Sequence, residues 1–99
     1  MKTLIQTPTP NLELSKTFYS KLGFNLQQSN DKHFAVSKDL IIEINIDRPS
    51  RAGLKLIQPS WDSFLKDSQL NKSITKTSTG YLLTSPSGCC VYLETEFPM

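Results

Sequence analysis

The apolar side chains near the start of the chain follow first a strand-like and then a helical spacing. Residues 2–7 (KTLIQT) mix β-branched and apolar types and stop at Pro8, which predicts a strand because proline cannot donate to a sheet ladder. A helical stripe begins behind Asn11, a favourable N-cap, and ends at Gly23, which permits a left-handed exit. We therefore expect a strand followed by a helix of about three turns.

The predicted helix has one apolar side. This stripe consists of Leu12, Ser15, Phe18, Tyr19 and Leu22. Any amphipathic helix that lies on a sheet needs residues such as Leu12, Phe18 and Leu22, so we assign these three to the core. They pack the helix against the sheet and perform no chemistry. Function has to be sought in a cleft of the protein.

The second half of the chain repeats the order of elements in the first half. Three segments behind the helix read as strands separated by turn residues: 24–29, 33–37 and 40–47. Next come a strand at 54–58, a second helix capped by Ser60, and three short strands between residues 73 and 96. Strand, helix and three strands therefore occur twice, at about half the chain length.

This order predicts an α+β protein built from two βαβββ modules. In each module the helix covers one face of a four-stranded sheet, and the other face is left to meet the other module or a ligand. A chain of 99 residues forms one domain on length alone. We expect a single domain over 1–99, with module one at about 1–48 and module two at about 53–97.

Composition and charge argue against several functional classes. The chain is 37% hydrophobic but has no run of about 20 apolar residues, and residues 1–10 lack the pattern of a secretory signal. Eleven basic and nine acidic residues give a net charge of +2, and the basic ones are spread along the chain rather than clustered. We therefore expect a cytoplasmic protein that binds neither nucleic acid nor membrane.

Two kinds of side chain remain as candidates for chemistry. The two cysteines, Cys89 and Cys90, are adjacent and should point to opposite sheet faces, so at most one enters a cleft and the other is a small buried hydrophobe. The single histidine, His33, should lie on the face opposite Phe34, toward the cleft. It is either a general base or a strand-end residue, and no triad partner accompanies it.

The segment from Asn11 to Phe24 (NLELSKTFYSKLGF) resembles the first-helix motif D-L-x-x-S-x-x-F-Y-x-x-L-G-F of the vicinal oxygen chelate superfamily. That superfamily includes glyoxalase I, bleomycin-resistance proteins, fosfomycin-resistance enzymes and extradiol dioxygenases. A second segment, SPSGCCVYL, resembles the family hairpin D-P-D-G-N-x-I-E-L, with Ser85 and Ser87 in place of its acids. The resemblance covers essentially the whole chain and implies a glyoxalase/bleomycin-resistance-like open barrel with a central cleft.

Catalytic members of this superfamily hold one divalent metal through ligands on the first, fourth, fifth and eighth strands. Carried over by the motifs, those positions are Leu4, Glu43, Leu54 and Tyr92. Only Glu43 can coordinate a metal, and one carboxylate does not make a tight site. The resemblance therefore implies a chain that has lost the metal, and we predict no metal, no cofactor and no catalytic residue.

Strand alternation predicts the lining of the cleft. On the fourth strand Ile42, Ile44 and Ile46 form a row against the helix, which leaves Glu43 and Asn45 on the opposite face. The predicted ligand-binding residues are Leu4, Gln6, Glu43, Asn45, Leu54, Tyr92 and Glu94. This lining suits an aromatic, apolar or cationic molecule. Alternatively, Glu94 and Glu96 are solvated strand-end charges and Glu43 pairs with a nearby Lys or Arg.

Two functions compete. The chain is either a metal-independent binding protein that sequesters a drug or metabolite, as bleomycin-resistance proteins do, or a lyase or isomerase of the glyoxalase/dioxygenase type. The second needs an atypical metal site completed across a dimer by Glu43, His33 or Glu94. Three missing ligands favour binding over catalysis. Short strands with exposed edges also predict a homodimer, so the cleft lies within one chain or is shared by two.

Overall fold

The computed structural model of the chain describes residues 1–46, 51–66 and 74–99. Its elements follow the order strand, helix, three strands, twice over. The helices are α1 (Leu12–Lys21) and α2 (Asp62–Leu65). The strands are β1 (Lys2–Pro8), β2 (Asn25–Ser29), β3 (Lys32–Val36), β4 (Ile41–Asn45), β5 (Gly53–Ile57), β6 (Thr75–Lys76), β7 (Gly80–Thr84) and β8 (Cys90–Glu94). The predicted α+β class with two βαβββ modules is confirmed.

The chain divides into two compact units. The first unit comprises Leu4–Ala52 and Pro98–Met99, and the second comprises Met1–Thr3 and Gly53–Phe97. Strands of the first unit follow the order β2-β3-β4-β1, and those of the second the order β5-β8-β7-β6. In each unit the first and last strands of the module run parallel, and the other pairs are antiparallel. The predicted end of module one, at about residue 48, lies outside the described residues.

Both predicted ends of α1 are confirmed. The side-chain oxygen of Asn11 accepts the backbone N–H of Leu14 at 3.1 Å, which satisfies one of the amides that the first turn leaves open. Gly23 follows the helix with a φ of +102°, a left-handed conformation that suits glycine. Glu13 in the first turn and Lys21 in the last turn match the sign of the helix dipole.

The core of the first unit lies between α1 and its sheet. Ala35, Ile42 and Ile44 form its centre, and Leu12 and Tyr19 of the helix pack on them. Ile5, Phe24 and Leu40 complete the cluster. Apolar burial of this kind stabilises a helix by about 25 cal/mol per Å² of area removed from water, and such packing contributes more to helix stability than intrinsic propensity does.

The sequence prediction assigned two residues of α1 wrongly to the core. Phe18 and Leu22 are exposed, as is Leu14, because the helix turns the side that carries Leu12 and Tyr19 toward the sheet. The row predicted on the fourth strand is also shorter than expected. Ile46 follows the end of β4 and is exposed.

Trp61 anchors the second unit. Its side chain is buried, its indole N–H donates to the backbone carbonyl of Glu94 at 2.8 Å, and its ring meets Phe64 edge to face. The short helix α2 begins behind Trp61, one residue later than a Ser60 cap predicts. The Ser60 hydroxyl nevertheless accepts the N–H of Asp62 at 3.2 Å. Among the described residues, no helix is long and apolar enough to cross a membrane.

Two glycines allow the neighbours of β8 to approach it closely. A Cβ atom on Gly53 would collide with the carbonyl oxygen of Cys90, and one on Gly80 would collide with that of Leu93. Both glycines lie opposite β8 in the sheet register, Gly53 at Cys90 and Gly80 at Glu94. Glycine is therefore required here by space, since close backbone approach leaves no room for a side chain.

Candidate functional site

Four of the seven predicted ligand-binding residues lie together on the face of the first sheet that points away from α1, which we call the far face. They are Leu4, Gln6, Glu43 and Asn45. Gln6 and Glu43 are direct partners in the parallel pairing of β1 with β4. The neighbouring pair, Ile5 and Ile42, lies on the helix side in the core. The alternation predicted for β4 is therefore confirmed from Ile42 to Asn45.

A chain of amide hydrogen bonds fixes the polar groups of the far face. The Asn45 side-chain amide donates to the Gln6 side-chain oxygen at 3.0 Å. The Gln6 amide in turn donates to the backbone carbonyl of Arg51, also at 3.0 Å. Buried amides need such partners, and these two bonds set the orientation of both side chains.

Most of the far face is packed rather than open. Leu4 and Gln6 are buried, and Glu43 is only 3% exposed. Phe34, the partner of Glu43 across β3 and β4, is completely buried and was missed by sequence reasoning. The predicted alternation, which sets Phe34 on the face opposite His33, holds, but the sequence analysis assigned the cleft side to His33 and not to Phe34. These side chains form a floor, and a ligand reaches them only where the surface opens.

Such an opening lies beside Glu43 and Asn45. It is a pocket of about 100 Å³ lined by Asp31, Lys32 and the residues 43–46 at the end of β4. Asp31 lies in the turn between β2 and β3, and Lys32 is the first residue of β3; sequence reasoning did not predict either of them as a site residue. The lining therefore includes two acidic residues and one lysine. That charge balance favours cationic groups and hydrogen-bond donors.

The three remaining predicted residues belong to the second unit and do not share one face. In the parallel pairing of β5 with β8, Leu54 lies opposite Val91, and Lys55 lies opposite Tyr92. Leu54 and Tyr92 thus point to opposite faces of this sheet, contrary to the prediction that both line one cleft. The sequence analysis assigned Leu54 and Tyr92 to the cleft from two separate motifs. A shift of one residue in the register between two strands moves a side chain to the other face of the sheet.

Glu94, the seventh predicted residue, is held by two neighbours. Its Oε1 atom lies 3.7 Å from the Nζ atom of Lys55, and its Oε2 atom accepts the Thr79 hydroxyl at 2.8 Å. The side chains of Lys55 and Glu94 are only 6% and 13% exposed. Glu94 is therefore an internally paired carboxylate and not the solvated charge of the alternative interpretation. Lys55 was missed because a lone lysine in a strand normally reads as surface.

The structure contradicts the position predicted for the histidine and confirms the one predicted for the cysteines. His33 lies opposite Ile44 in the register of β3 and β4, on the helix side of the sheet and not on the far face that carries Glu43. The prediction that it points toward the cleft is wrong, because Phe34 occupies that side. Cys90 is buried and Cys89 is exposed, so the expectation of one buried cysteine is confirmed.

The donor set does not fit the divalent metal that the family resemblance implies. Leu4 and Leu54 have no electron pairs to offer, and Leu54 and Tyr92 face opposite sides of their sheet. Among residues 1–46, 51–66 and 74–99, no group of three His, Cys, Asp or Glu side chains could hold a metal ion. A tight site needs several converging donors. The absence of a metal in the functional protein stays a prediction.

A second concavity of about 290 Å³ lies in the second unit. It is lined by Met1, Lys2, Ile57, Gln58, Pro59, Thr95 and Phe97. It contains none of the predicted ligand-binding residues. Its charged side chain, Lys2, places Nζ 4.8 Å from the centre of the Phe97 ring, a cation–π contact within the unit.

Comparison with known proteins gives a likeness in structure alone. No family model and no curated protein matches the sequence. A glyoxalase/bleomycin resistance protein/dioxygenase superfamily member from Vibrio splendidus is similar in structure, with a TM-score of 0.64 and 11% identity over 96% of this chain and 98% of that one. An uncharacterized protein from Methanosarcina mazei aligns over 100% and 96% of the two chains, with a TM-score of 0.46 and 15% identity. The first likeness confirms the predicted glyoxalase/bleomycin-resistance-like fold.

Proposed function

We propose that this chain, which has the fold of the glyoxalase/bleomycin resistance/dioxygenase superfamily, is a metal-independent binding protein for a small cationic molecule. The observation that carries the proposal is the position of Glu43. Its carboxylate is almost completely buried and yet belongs to a residue that lines a pocket open to solvent. A cation that enters there meets a negative charge in a medium of low dielectric.

The surroundings of Glu43 support recognition of a positive group. Asp31 adds a second carboxylate to the pocket, and Asn45 adds a side-chain amide whose orientation is set by its bond to Gln6. Among the described residues of the lining, Lys32 is the one opposing charge. A primary ammonium or a similar group would gain charge-assisted hydrogen bonds that a neutral or anionic group of the same shape does not.

The size of the pocket limits what enters it. Pockets that enclose a drug-sized ligand measure roughly 300–1,000 Å³. At about 100 Å³ this pocket takes a head group such as an ammonium with its adjoining carbon atoms. The rest of a larger ligand would lie outside it. The ligand class is therefore a small amine, or the amine end of a longer molecule.

The catalytic alternative has less support from the contacts of its proposed ligands. An atypical metal site would need Glu43 together with His33 or Glu94 from a second subunit. His33 lies on the helix side of its sheet, and both oxygen atoms of Glu94 are already engaged by Lys55 and Thr79. Binding therefore agrees better with these side chains than glyoxalase-type or dioxygenase-type chemistry does.

A calorimetric titration with three matched probes tests the proposal. Benzylamine, benzyl alcohol and benzoate share one ring and carry a positive, a neutral and a negative group at neutral pH. We expect benzylamine to bind most tightly. Glu43→Gln should raise the Kd of benzylamine by roughly tenfold or more, since the charge-assisted hydrogen bond is lost. It should leave the Kd of benzyl alcohol unchanged.

Two further variants make this test decisive. Glu13→Gln removes an exposed carboxylate on α1 and should leave the Kd of benzylamine unchanged. Lys32→Ala removes the opposing charge and should lower that Kd. Lys32 is exposed, so its variant stays informative even where Glu43→Gln fails to fold. The proposal would be wrong if all three probes bound with equal affinity, or if neither Glu43→Gln nor Lys32→Ala changed the Kd of benzylamine.

Elemental analysis distinguishes binding from metal-dependent catalysis. The protein should be purified without chelator and without a metal-affinity step, and its Ni, Zn, Fe and Mn contents measured. We expect less than stoichiometric amounts of each. One equivalent of any of these metals, lost when Glu43 is replaced, would overturn the metal-independent function and favour the catalytic alternative.

A further inference from the structure

We propose that the concavity in the second unit is a second ligand site, which binds a small carboxylate with an apolar body. We call it the carboxylate pocket. It has a volume of about 290 Å³ and is lined by Met1, Lys2, Ile57, Gln58, Pro59, Thr95 and Phe97. The inference is independent of the proposed function, because this pocket belongs to the other unit and shares no described lining residue with the pocket beside Glu43.

Four of the seven described lining residues of the carboxylate pocket are apolar. Ile57 is only 5% exposed and still contributes to the lining, whereas Met1 is 76% exposed. Pro59 and Phe97 each add a ring. A ligand that covers these side chains removes apolar surface from water, which favours binding. The body of the ligand should therefore be apolar.

Lys2 is the one charged residue among the described residues of this lining. Its Nζ lies 4.8 Å from the centre of the Phe97 ring, a cation–π contact that holds the ammonium group beside an apolar wall. An ammonium group carries three donors, so it attracts a carboxylate and repels a cation. Thr95 adds a hydroxyl, which can also donate to a carboxylate oxygen. The head group of the ligand is therefore an anion, opposite in sign to the ligand proposed for the pocket beside Glu43.

Hydrogen bonds fix one wall of the pocket before a ligand enters. The backbone carbonyl of Glu94 accepts the N–H of Gln58 at 3.2 Å and the indole N–H of Trp61 at 2.8 Å. These two bonds tie the segment that follows β5 to the end of β8, directly before Thr95. The side-chain amide of Gln58 also donates to the backbone carbonyl of Ser60 at 3.0 Å. Binding therefore has to order little of this wall, and a preformed wall lowers the entropy lost on binding.

The volume of the pocket sets the size of the ligand. Since a water molecule occupies about 30 Å³ in the liquid, a space of 290 Å³ corresponds to about ten waters. A molecule of roughly ten to twelve non-hydrogen atoms has that size. One aromatic ring with a short acid chain meets this limit and combines an apolar body with a carboxylate. Phenylpropionate is therefore a suitable probe.

An NMR titration of the isotope-labelled protein tests both the ligand class and its position. The probes are phenylpropionate, phenylpropanol and phenylpropylamine, which share a ring and a chain and carry a negative, a neutral and a positive group. We expect phenylpropionate to shift the amide signals of Ile57, Gln58, Thr95 and Phe97, and to bind more tightly than the other two probes. Each Kd is taken from these four amides, so binding beside Glu43 does not contribute to it.

Three variants separate the head group from the apolar body. Lys2→Gln should raise the Kd of phenylpropionate by about threefold or more and leave that of phenylpropanol unchanged, because an exposed charge contributes modestly. Lys76→Gln is the matched control. It removes an exposed lysine of the same unit that does not line the pocket, and it should change neither Kd. Phe97→Ala should raise both, because both probes use the apolar wall.

The second site has clear contrary outcomes. It is overturned if phenylpropionate shifts none of the four amides, if it binds no more tightly than phenylpropanol, or if Lys2→Gln leaves its Kd unchanged. An equal effect of Lys76→Gln would mean general attraction by the charge of the protein, and would overturn the site as well. Glu43→Gln should leave the Kd of phenylpropionate unchanged, so failure of this site and failure of the proposed function are separate results.

Discussion

Lys55 and Glu94 form an ion pair inside the second unit, with Nζ and Oε1 3.7 Å apart and both side chains largely shielded from solvent. The same distance separates Lys16 and Glu13 on α1, where the side chains are 30% and 81% exposed. The two pairs therefore differ in burial and not in length. Burial decides how much each pair contributes to the free energy of unfolding, since a charge removed from water relies on its partner for stabilisation.

Breaking the buried pair should be costly. We expect Lys55→Met to lower the free energy of unfolding by about 3 kcal/mol, because it leaves Glu94 as a largely buried charge that keeps the Thr79 hydroxyl but has lost its ammonium partner. Urea unfolding of Lys55→Met, Glu94→Gln and the double variant gives the coupling energy. The corresponding cycle with Lys16→Met and Glu13→Gln should yield about 0.5 kcal/mol or less. Equal coupling in the two cycles would contradict the assigned burial.

Two isoleucines of one strand segment should respond differently to truncation. Ile44 is 2% exposed in the core beneath α1, and Ile46, two residues further on, is 49% exposed. We expect Ile44→Ala to cost about 3 kcal/mol, since it loses buried area and leaves a cavity. Ile46→Ala should cost less than about 1 kcal/mol. Thermal and urea unfolding measure both, and similar costs would mean that the core is misplaced.

The adjacent cysteines should differ in reactivity toward a thiol reagent such as 5,5′-dithiobis(2-nitrobenzoate). Cys89 is exposed and Cys90 is buried. We expect one fast and one slow thiol per native chain, and two fast thiols in denaturant, because reaction requires access to the sulfur atom. Cys89→Ser should remove the fast phase alone. A fast phase that survives in this variant would place Cys90 at the surface.

The fold was predictable because its local patterns agree with one another. Asn11 and Gly23 mark the ends of α1 through caps whose mechanism is local, and alternation along β4 separates Ile42 and Ile44 from Glu43. Such signals depend on neighbours in sequence. They gave the order of elements and hence the βαβββ modules, which the structural likeness to a superfamily member supports.

The site was less predictable because its features depend on distant pairing. Placing Leu54 and Tyr92 requires the register of β5 against β8, and no property of either strand alone fixes it. The exposure of Phe18 depends on how α1 rotates on its sheet, since its apolar residues cover more than one side of the helix. The burial of Lys55 follows from Glu94, which lies 39 positions away.

The bond between Asn45 and Gln6 offers a last test of the far face. Asn45→Leu removes the donor that Gln6 Oε1 uses at 3.0 Å, and Gln6 is buried. We expect a loss of about 2 kcal/mol in the free energy of unfolding, because a buried acceptor would be left without this partner. Asn25→Leu on the edge strand β2 makes the same chemical change at an exposed position and should cost less than about 0.5 kcal/mol. If urea unfolding gave the two variants equal stability, the hydrogen bond between Asn45 and Gln6 could not be what orients these side chains at the pocket. The role assigned to Asn45 in binding would then lose its physical basis.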